Sequence, residues 1–269
     1  MLIKRILTAM ILIPLTLAGI FYLPPLWFCI VTGVISLGAV WEWSHLMQLK
    51  SMKGRIFYLV LSAIVFVWIL SLPVPLVFAF TFIWWLIATL LIIFYPRKID
   101  WWKNSTLIRG MMGMFVLGPC FAAVNFIRNQ AEGIYTLLFL LILVFGADTT
   151  AYFAGKKWGK TKLAPLVSPG KTKEGFFAAL IFSILFATAT LWFLRMPLLI
   201  WPWIILLSVF VVAFSIAGDL FESMMKREAG VKDSGNILPG HGGLLDRIDS
   251  VTAAAPVFVF GELLLGYFL

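Results

Sequence analysis

Charge is scarce in this chain: 12% of its 269 residues are Asp, Glu, Lys or Arg, against 62% hydrophobic. That length suggests one or two soluble domains, but so few charged groups cannot cover a water-facing surface. Cysteine is nearly absent as well. Cys29 and Cys120 both sit in apolar stretches without CxxC or Cys/His spacing, which excludes a disulfide framework and a zinc site and leaves two packing residues. No G-x-S-x-G elbow occurs to accompany His241-Gly242-Gly243, so a serine esterase is excluded. What is abundant is apolar and aromatic: 25 Phe, 12 Trp and a mean hydropathy of +1.03. Such a composition buries far more apolar area than ordering costs, which excludes disorder. The chain reads as a polytopic integral membrane protein.

A helical crossing needs about 20 apolar residues. Nine runs qualify, near 5–23, 26–46, 56–72, 75–95, 108–127, 133–152, 175–194, 198–218 and 249–269, giving an all-α membrane bundle. The first, behind Lys4 and Arg5, is similar to a signal peptide, but no small-residue cleavage site precedes Phe21 and eight runs follow; it is expected to stay as the first helix. With the N-terminus in the cytoplasm, nineteen of the 21 Lys and Arg fall inside and only Arg128 and Arg195 outside, satisfying the positive-inside rule at every loop. The net charge of +9 is therefore chiefly a topology signal, spread over five segments instead of forming a nucleic-acid stripe. The expected location is a bacterial-type inner membrane with the working face in the cytoplasm.

Residues 1–130 read as membrane scaffold and 131–269 as the catalytic region, with cytoplasmic loops 153–174 and 219–248. Eight of the twelve acidic residues lie within 146–252. Leaving an apolar span, Asp219, Glu222 or Ser223, and Lys226 share one helical face. A carboxylate there is expensive unless partnered; an ion pair of Asp219 or Glu222 with Lys226 at the membrane surface is the plain alternative to a functional site. Four glycines then fall in nine positions from Gly235 to Gly243, where the last helix begins, a setting that favours phosphate. Asp246 and Asp249 project from the first turns of that helix, suited to a hard divalent ion such as Mg2+ or to macrodipole complementation. Upstream, Ala154 to Thr161 matches a relaxed P-loop, but it follows a membrane helix and precedes Pro165 and Pro169, not the strand and helix such a loop requires. Ser168 to Glu174 offers two lysines and two hydroxyls to an anionic group, or to anionic lipid head groups. His45, beside Trp41-Glu42-Trp43, reads as interfacial.

The ungapped run from Ser223 through Lys226-Arg227, Lys232-Asp233, Gly235, Leu238-Pro239, His241-Gly242-Gly243 and Asp246-Arg247 to Asp249 resembles the signature of the phosphatidate cytidylyltransferases, or CDP-diacylglycerol synthases. Asp148-Thr149, Ala151-Tyr152 and Gly155, and Ser168-Pro169, Lys171-Thr172 and Glu174-Gly175, are similar to that family's upstream segments, with Lys173 departing where an aromatic is common. The resemblance covers the C-terminal half specifically and the N-terminal half by hydropathy. It implies condensation of CTP with phosphatidate to CDP-diacylglycerol and pyrophosphate, with Mg2+, in a one- or two-metal site, as cofactor. Implied catalytic residues are Asp219, Lys226, Arg227, Asp246, Arg247 and Asp249, with Asp219 and Asp246 on the metal. Implied substrate contacts are Asp148, Ser168, Lys171, Thr172, Lys173, Ser223, His241, Gly242 and Gly243. The expected partners are CTP, phosphatidate and membrane lipids, not nucleic acid, with either a monomer or a homodimer compatible. Two other chemistries compete: a CTP-dependent lipid or polyprenol kinase, and a transporter, which would place its charges near the bilayer midplane instead of at one face.

The charge distribution predicts that a periplasmic-reporter phosphatase fused within the Arg195 turn is active in intact cells and one fused at Lys160 is silent; the reverse pattern would invert the orientation.

Overall fold

The computed structural model describes residues 2–97, 100–237 and 242–268. Ten helices account for most of it: α1 (Leu2–Tyr22), α2 (Pro25–Leu46), α3 (Met52–Ile69), α4 (Val74–Phe94), a single turn α5 (Asp100–Lys103), α6 (Thr106–Arg128), α7 (Gly133–Trp158), α8 (Lys173–Phe193), α9 (Trp201–Ala229) and α10 (Leu245–Phe268). Among the described residues eight are long and apolar enough to cross a bilayer, and α1 adds the shorter apolar stretch Met10–Tyr22. An all-α membrane bundle is the result. One element departs from it, an antiparallel hairpin of β1 (Lys162–Ala164) and β2 (Ser168–Thr172) between α7 and α8.

Local chemistry moves several boundaries from the hydropathy reading. The third span opens at Met52 instead of 56, because the Ser51 hydroxyl accepts from the Gly54 amide as an N-cap. α7 and α9 run past 152 and 218 to Trp158 and Ala229, since helical geometry persists in water once hydropathy fades. α9 stops where Gly230 takes φ 72°, and the Gly230 and Val231 amides fold back on the carbonyls of Arg227 and Lys226, a left-handed C-terminal cap natural to glycine. α10 opens at Leu245, one turn before 249, for a reason that belongs to the site.

α6 and α10 lie at the centre, with 67% and 56% of their apolar windows buried against 17–39% in the other spans. Outward faces stay apolar, as with Phe57, Val67 and Ile93, the pattern expected of helices solvated by lipid. Phe221 of α9 joins three helices: its ring stacks on Trp43 of α2 at 6.3 Å and meets Trp84 and Trp85 of α4 edge-on at 5.8 and 6.0 Å, favourable aromatic geometries. Trp43 Nε1 donates to the Arg109 carbonyl at 2.9 Å and the Tyr58 hydroxyl to that of Gly110 at 2.9 Å, closing α2 and α3 onto the start of α6.

Successive spans reverse direction, so the ends of α2, α4, α7 and α9 share one face with the starts of α3, α6, α8 and α10. Glu228 braces that face, accepting from the Tyr95 hydroxyl at 2.8 Å and pairing with Lys103 at 3.2 Å, while its carbonyl takes Gln48 Nε2. Burial, reinforced by Glu228, pushes the Tyr95 hydroxyl up to about 12, so it remains a donor. At the opposite end the Arg128 guanidinium donates to the carbonyls of Ile20 and Leu23, satisfying the frayed end of α1.

A methyl at Gly113 would fall 2.3 Å from Trp43 Nε1 and 2.6 Å from the Tyr58 hydroxyl. Gly113→Ala is therefore expected to destabilise by about 1–3 kcal/mol through overpacking, read as a lower thermal midpoint in detergent; an unchanged midpoint would contradict the α2–α3–α6 junction.

Candidate active site

The site is assembled where α7, α8, α9 and α10 meet, and the hairpin supplies its first cation. Gly155, Gly159 and Gly175 leave room for Thr172: added methyl groups at the first two would lie 2.8 and 2.6 Å from its side chain, and one at Gly175 would lie 2.6 Å from the Ala151 carbonyl. Seated there, Thr172 caps α8 by accepting from the Gly175 amide at 3.1 Å. Glu174 takes the Thr161 amide on both oxygens, at 3.1 and 3.2 Å, and the Lys173 amide donates to the Thr161 carbonyl at 2.8 Å. These bonds close the hairpin and project Lys171 across to α9, where its ammonium lies 2.7 Å from Asp219 Oδ2. The other Asp219 oxygen accepts from Ser223 Oγ at 3.2 Å. That pair is about a quarter open to solvent, 23% for Lys171 and 26% for Asp219.

A second pair lies deeper. Lys226 Nζ is 2.7 Å from Asp246 Oδ1 and 3.4 Å from Glu222 Oε1, with side chains 11%, 7% and 3% exposed. Asp246 Oδ2 takes the Ser234 amide at 3.0 Å and the Gly243 amide at 2.8 Å and lies 3.0 Å from the Ser234 hydroxyl, so this oxygen is fully engaged. Asp249 lies between the pairs, in the fields of Asp219, Lys171 and Glu222, with its own carbonyl against Gly218. Asp148 of α7 completes the group, accepting from Ser250 Oγ at 2.9 Å and facing both Lys171 and Asp219.

Of the residues read from the sequence, Asp148, Lys171, Asp219, Ser223, Lys226, Asp246 and Asp249 converge. Arg227 donates to the Val167 carbonyl at 3.1 Å, buttressing the hairpin, and Arg247 and Lys173 are exposed. Ser168 is half-buried in β2. Thr172 is a helix cap turned into the protein, and Ser223 is occupied with Asp219. His241 lies outside the described residues.

The glycine segment takes a part different from the expected phosphate cradle. Gly242 adopts φ 81°, and the amides of Gly243, Leu244 and Leu245 already serve carboxylates: Gly243 that of Asp246, the other two Glu42 Oε1 and Oε2 at 2.9 and 2.8 Å. Glu42, near the end of α2, is 1% exposed and also accepts from Ser234 Oγ at 3.1 Å. Gly235 and Gly243 are glycine because a methyl there would lie 2.3 and 2.6 Å from Glu42 oxygens. Sequence reading passed over Glu42, Ser234 and Ser250 as site residues, while the ion pair of Glu222 with Lys226 that it weighed is present at 3.4 Å. A carboxylate one turn inside an apolar span was a usable signal for Glu42, hidden by its position between two interfacial-looking tryptophans.

Among the described residues no three His, Cys, Asp or Glu side chains are spaced to hold a metal ion together. The donor chemistry nevertheless suits a hard divalent cation: Asp148, Asp219, Glu222, Asp246 and Asp249 outnumber Lys171 and Lys226, and neither Glu222 oxygen receives a hydrogen bond among the described residues. Glu222, Asp148, Asp219 and Asp249 all keep acceptor capacity to spare.

A family model described as Cytidylyltransferase family matches residues 3–264. A phosphatidate cytidylyltransferase of Pseudomonas aeruginosa is 41% identical over 261 residues, 96% of either chain, and one of Haemophilus influenzae is 38% identical over 285 residues, 97% of this chain and 98% of that one. A third, of Bacillus subtilis, is 41% identical over 147 residues, 54% of each.

Removing one member of a buried ion pair strands the other, whereas a partly exposed pair contributes little. Lys226→Met, which strands two buried carboxylates, is accordingly expected to destabilise by about 3–5 kcal/mol and Lys171→Met by less, compared by unfolding in detergent; equal losses would contradict the difference in burial.

Proposed function

The chain belongs to the cytidylyltransferase family, and from that premise we propose that it is a membrane nucleotidyltransferase condensing CTP with phosphatidate. A phosphate oxygen of phosphatidate attacks the α-phosphorus of CTP, the bond from that phosphorus to the bridging oxygen of the β-phosphate breaks, and CDP-diacylglycerol and pyrophosphate leave. No covalent enzyme intermediate is needed. The work is positioning and charge neutralisation, because anionic nucleophile, electrophile and leaving group must be held in line.

The observation that carries this reading is the convergence of Asp148, Lys171, Asp219 and Asp249 at one end of the bundle, from the segments that carry the family pattern. Lys171 exchanges its contact with Asp219 for a substrate phosphate, Arg227 and Arg247 face the triphosphate, and Lys226 holds Asp246 in register. Mg2+ belongs beside Asp219 and Asp249, with Asp148 behind them, and supplies Lewis-acid neutralisation of triphosphate charge when bound. Asp246, engaged on Oδ2, joins that set only through Oδ1, which faces Lys226. The chain lies in a bacterial inner membrane with this end toward the cytoplasm, supported by the nineteen basic residues that fall on one side.

Purified protein in detergent, given phosphatidate, Mg2+ and cytidine-labelled CTP, is expected to move label into the lipid phase, and a chelator to abolish it. Asp219→Asn is expected to lower turnover by at least about a hundredfold without unfolding the protein. Lipid label from γ-phosphate-labelled CTP alone would establish a kinase instead, and full turnover in the Asn variant would remove Asp219 from the site.

A further inference from the structure

We infer that Glu42, in the scaffold half of the chain, is a positioning residue of the transfer reaction, setting the start of α10 and, through Ser234, the Asp246–Lys226 pair. The inference rests on the nucleotidyl-transfer reading above.

A buried carboxylate in a membrane helix ordinarily answers a cation. Glu42, 1% exposed, answers none among the described residues; its partners are the backbone amides of Leu244 and Leu245 and the Ser234 hydroxyl. Those amides belong to the opening of α10 and would otherwise be unpaired donors at the positive end of the helix dipole. A carboxylate from another helix thus does what a local capping residue does elsewhere. The loop leaving α9 and the start of α10 are consequently registered against α2 instead of against each other alone.

Two further observations make this a relay and not an isolated cap. Ser234 Oγ lies between two carboxylates, 3.1 Å from Glu42 Oε2 and 3.0 Å from Asp246 Oδ2, and Asp246 in turn holds Lys226 at 2.7 Å. A single hydroxyl has one proton, so it donates to one carboxylate while the Ser234 and Gly243 amides secure the other side of Asp246. The enclosure is tight as well: methyl groups at Gly235, Gly243 and Gly38 would lie 2.3 Å from Glu42 Oε1, 2.1 Å from Ser234 Oγ and 2.8 Å from the Leu244 side chain. A displacement of Glu42 therefore passes directly to Asp246, and from there to the turn of α10 that carries Asp249.

Glu42→Gln keeps the size but gives one amide N–H a donor to face instead of an acceptor, and Ser234→Ala removes only the bridging hydroxyl. Two readouts are taken on each full-length variant in detergent. Hydrogen exchange over residues 242–250 reports the clamp without reference to activity, and initial rates with CTP and phosphatidate varied separately report its use. Glu42→Gln is expected to speed exchange in that segment and to lower kcat/KM for CTP by about tenfold or more, with KM for phosphatidate within about twofold. Ser234→Ala acts in the same direction more weakly, and the double variant loses no more than Glu42→Gln alone, because both lie on one chain of contacts. Faster exchange with unchanged turnover would make Glu42 structural only, and losses in the two variants that multiply would break the relay; either overturns the proposal, as does unchanged exchange. A fall in kcat matched by the folded fraction, with KM for CTP unaltered, overturns it too. If Glu42→Gln does not fold, the Ser234→Ala arm decides alone by the same KM for CTP. Wild-type protein that transfers no cytidylyl group at all overturns the reading of the reaction itself, while its exchange data still report whether the clamp exists.

Discussion

Asp246 and Glu42 do at the start of α10 what water does at the start of an ordinary helix. The first amides of any helix lack intrahelical acceptors, and here three of them, together with the Ser234 amide, are taken by two carboxylates from different elements. Satisfied at that point, α10 can begin inside the protein, beside α9 and under α2. The second oxygen of Asp246 meets Lys226, so one carboxylate holds a helix start and neutralises the lysine of a neighbouring helix. The placement of Asp249 follows, since it lies one turn further along the helix so fixed.

Around that anchor the charges divide into two kinds. The Lys226–Asp246 pair is buried and held by further amide donors, and such a network rigidifies without offering itself to a ligand. The Lys171–Asp219 pair is more open and has fewer partners, and Asp148 and Asp249 add negative charge beside it. On the proposed reading such a pair exchanges partners: an incoming phosphate competes for the lysine, a cation for the carboxylate. The saturated pair and the more open one are therefore separated by about two turns of α9, between Asp219 and Lys226.

Much of this was legible in the sequence. Apolar run length located the spans because hydrocarbon admits little else, and carboxylates at span ends marked Asp148, Asp219, Asp246 and Asp249 because charge there is costly without a partner. Which partner each one finds was not legible. The pairing of Asp219 with Lys171, instead of the nearer-in-sequence Lys226, depends on a hairpin whose strands, three and five residues long, carry too little alternation to announce themselves. The glycines suggested phosphate because exposed amides near a helix start usually do; that the amides are already answered depends on Glu42, some two hundred residues away. Long-range carboxylate-to-amide capping leaves no local spacing to detect, whereas the Thr172 and Ser51 caps sit within their own helices' first turns.

Helix length explains why these groups can serve a lipid and a water-soluble nucleotide together. α7 and α9 have 26 and 29 residues, about 39 and 43 Å long at 1.5 Å per residue, against a hydrocarbon core of about 30 Å. Both overshoot the bilayer. Asp148 and Asp219 each stand ten residues before the end of their helix, about 15 Å back from it, so the two carboxylates sit at matching distances from their helix ends. Lys171 reaches them from the hairpin that precedes α8, and Asp249 from one turn inside α10. Arg227 stands two residues from the end of α9 and Arg247 in the first turn of α10. On the proposed reading, a phosphate group arrives from the membrane and a triphosphate from water without either crossing hydrocarbon, because the overshooting helices carry the site toward the boundary between the two solvents.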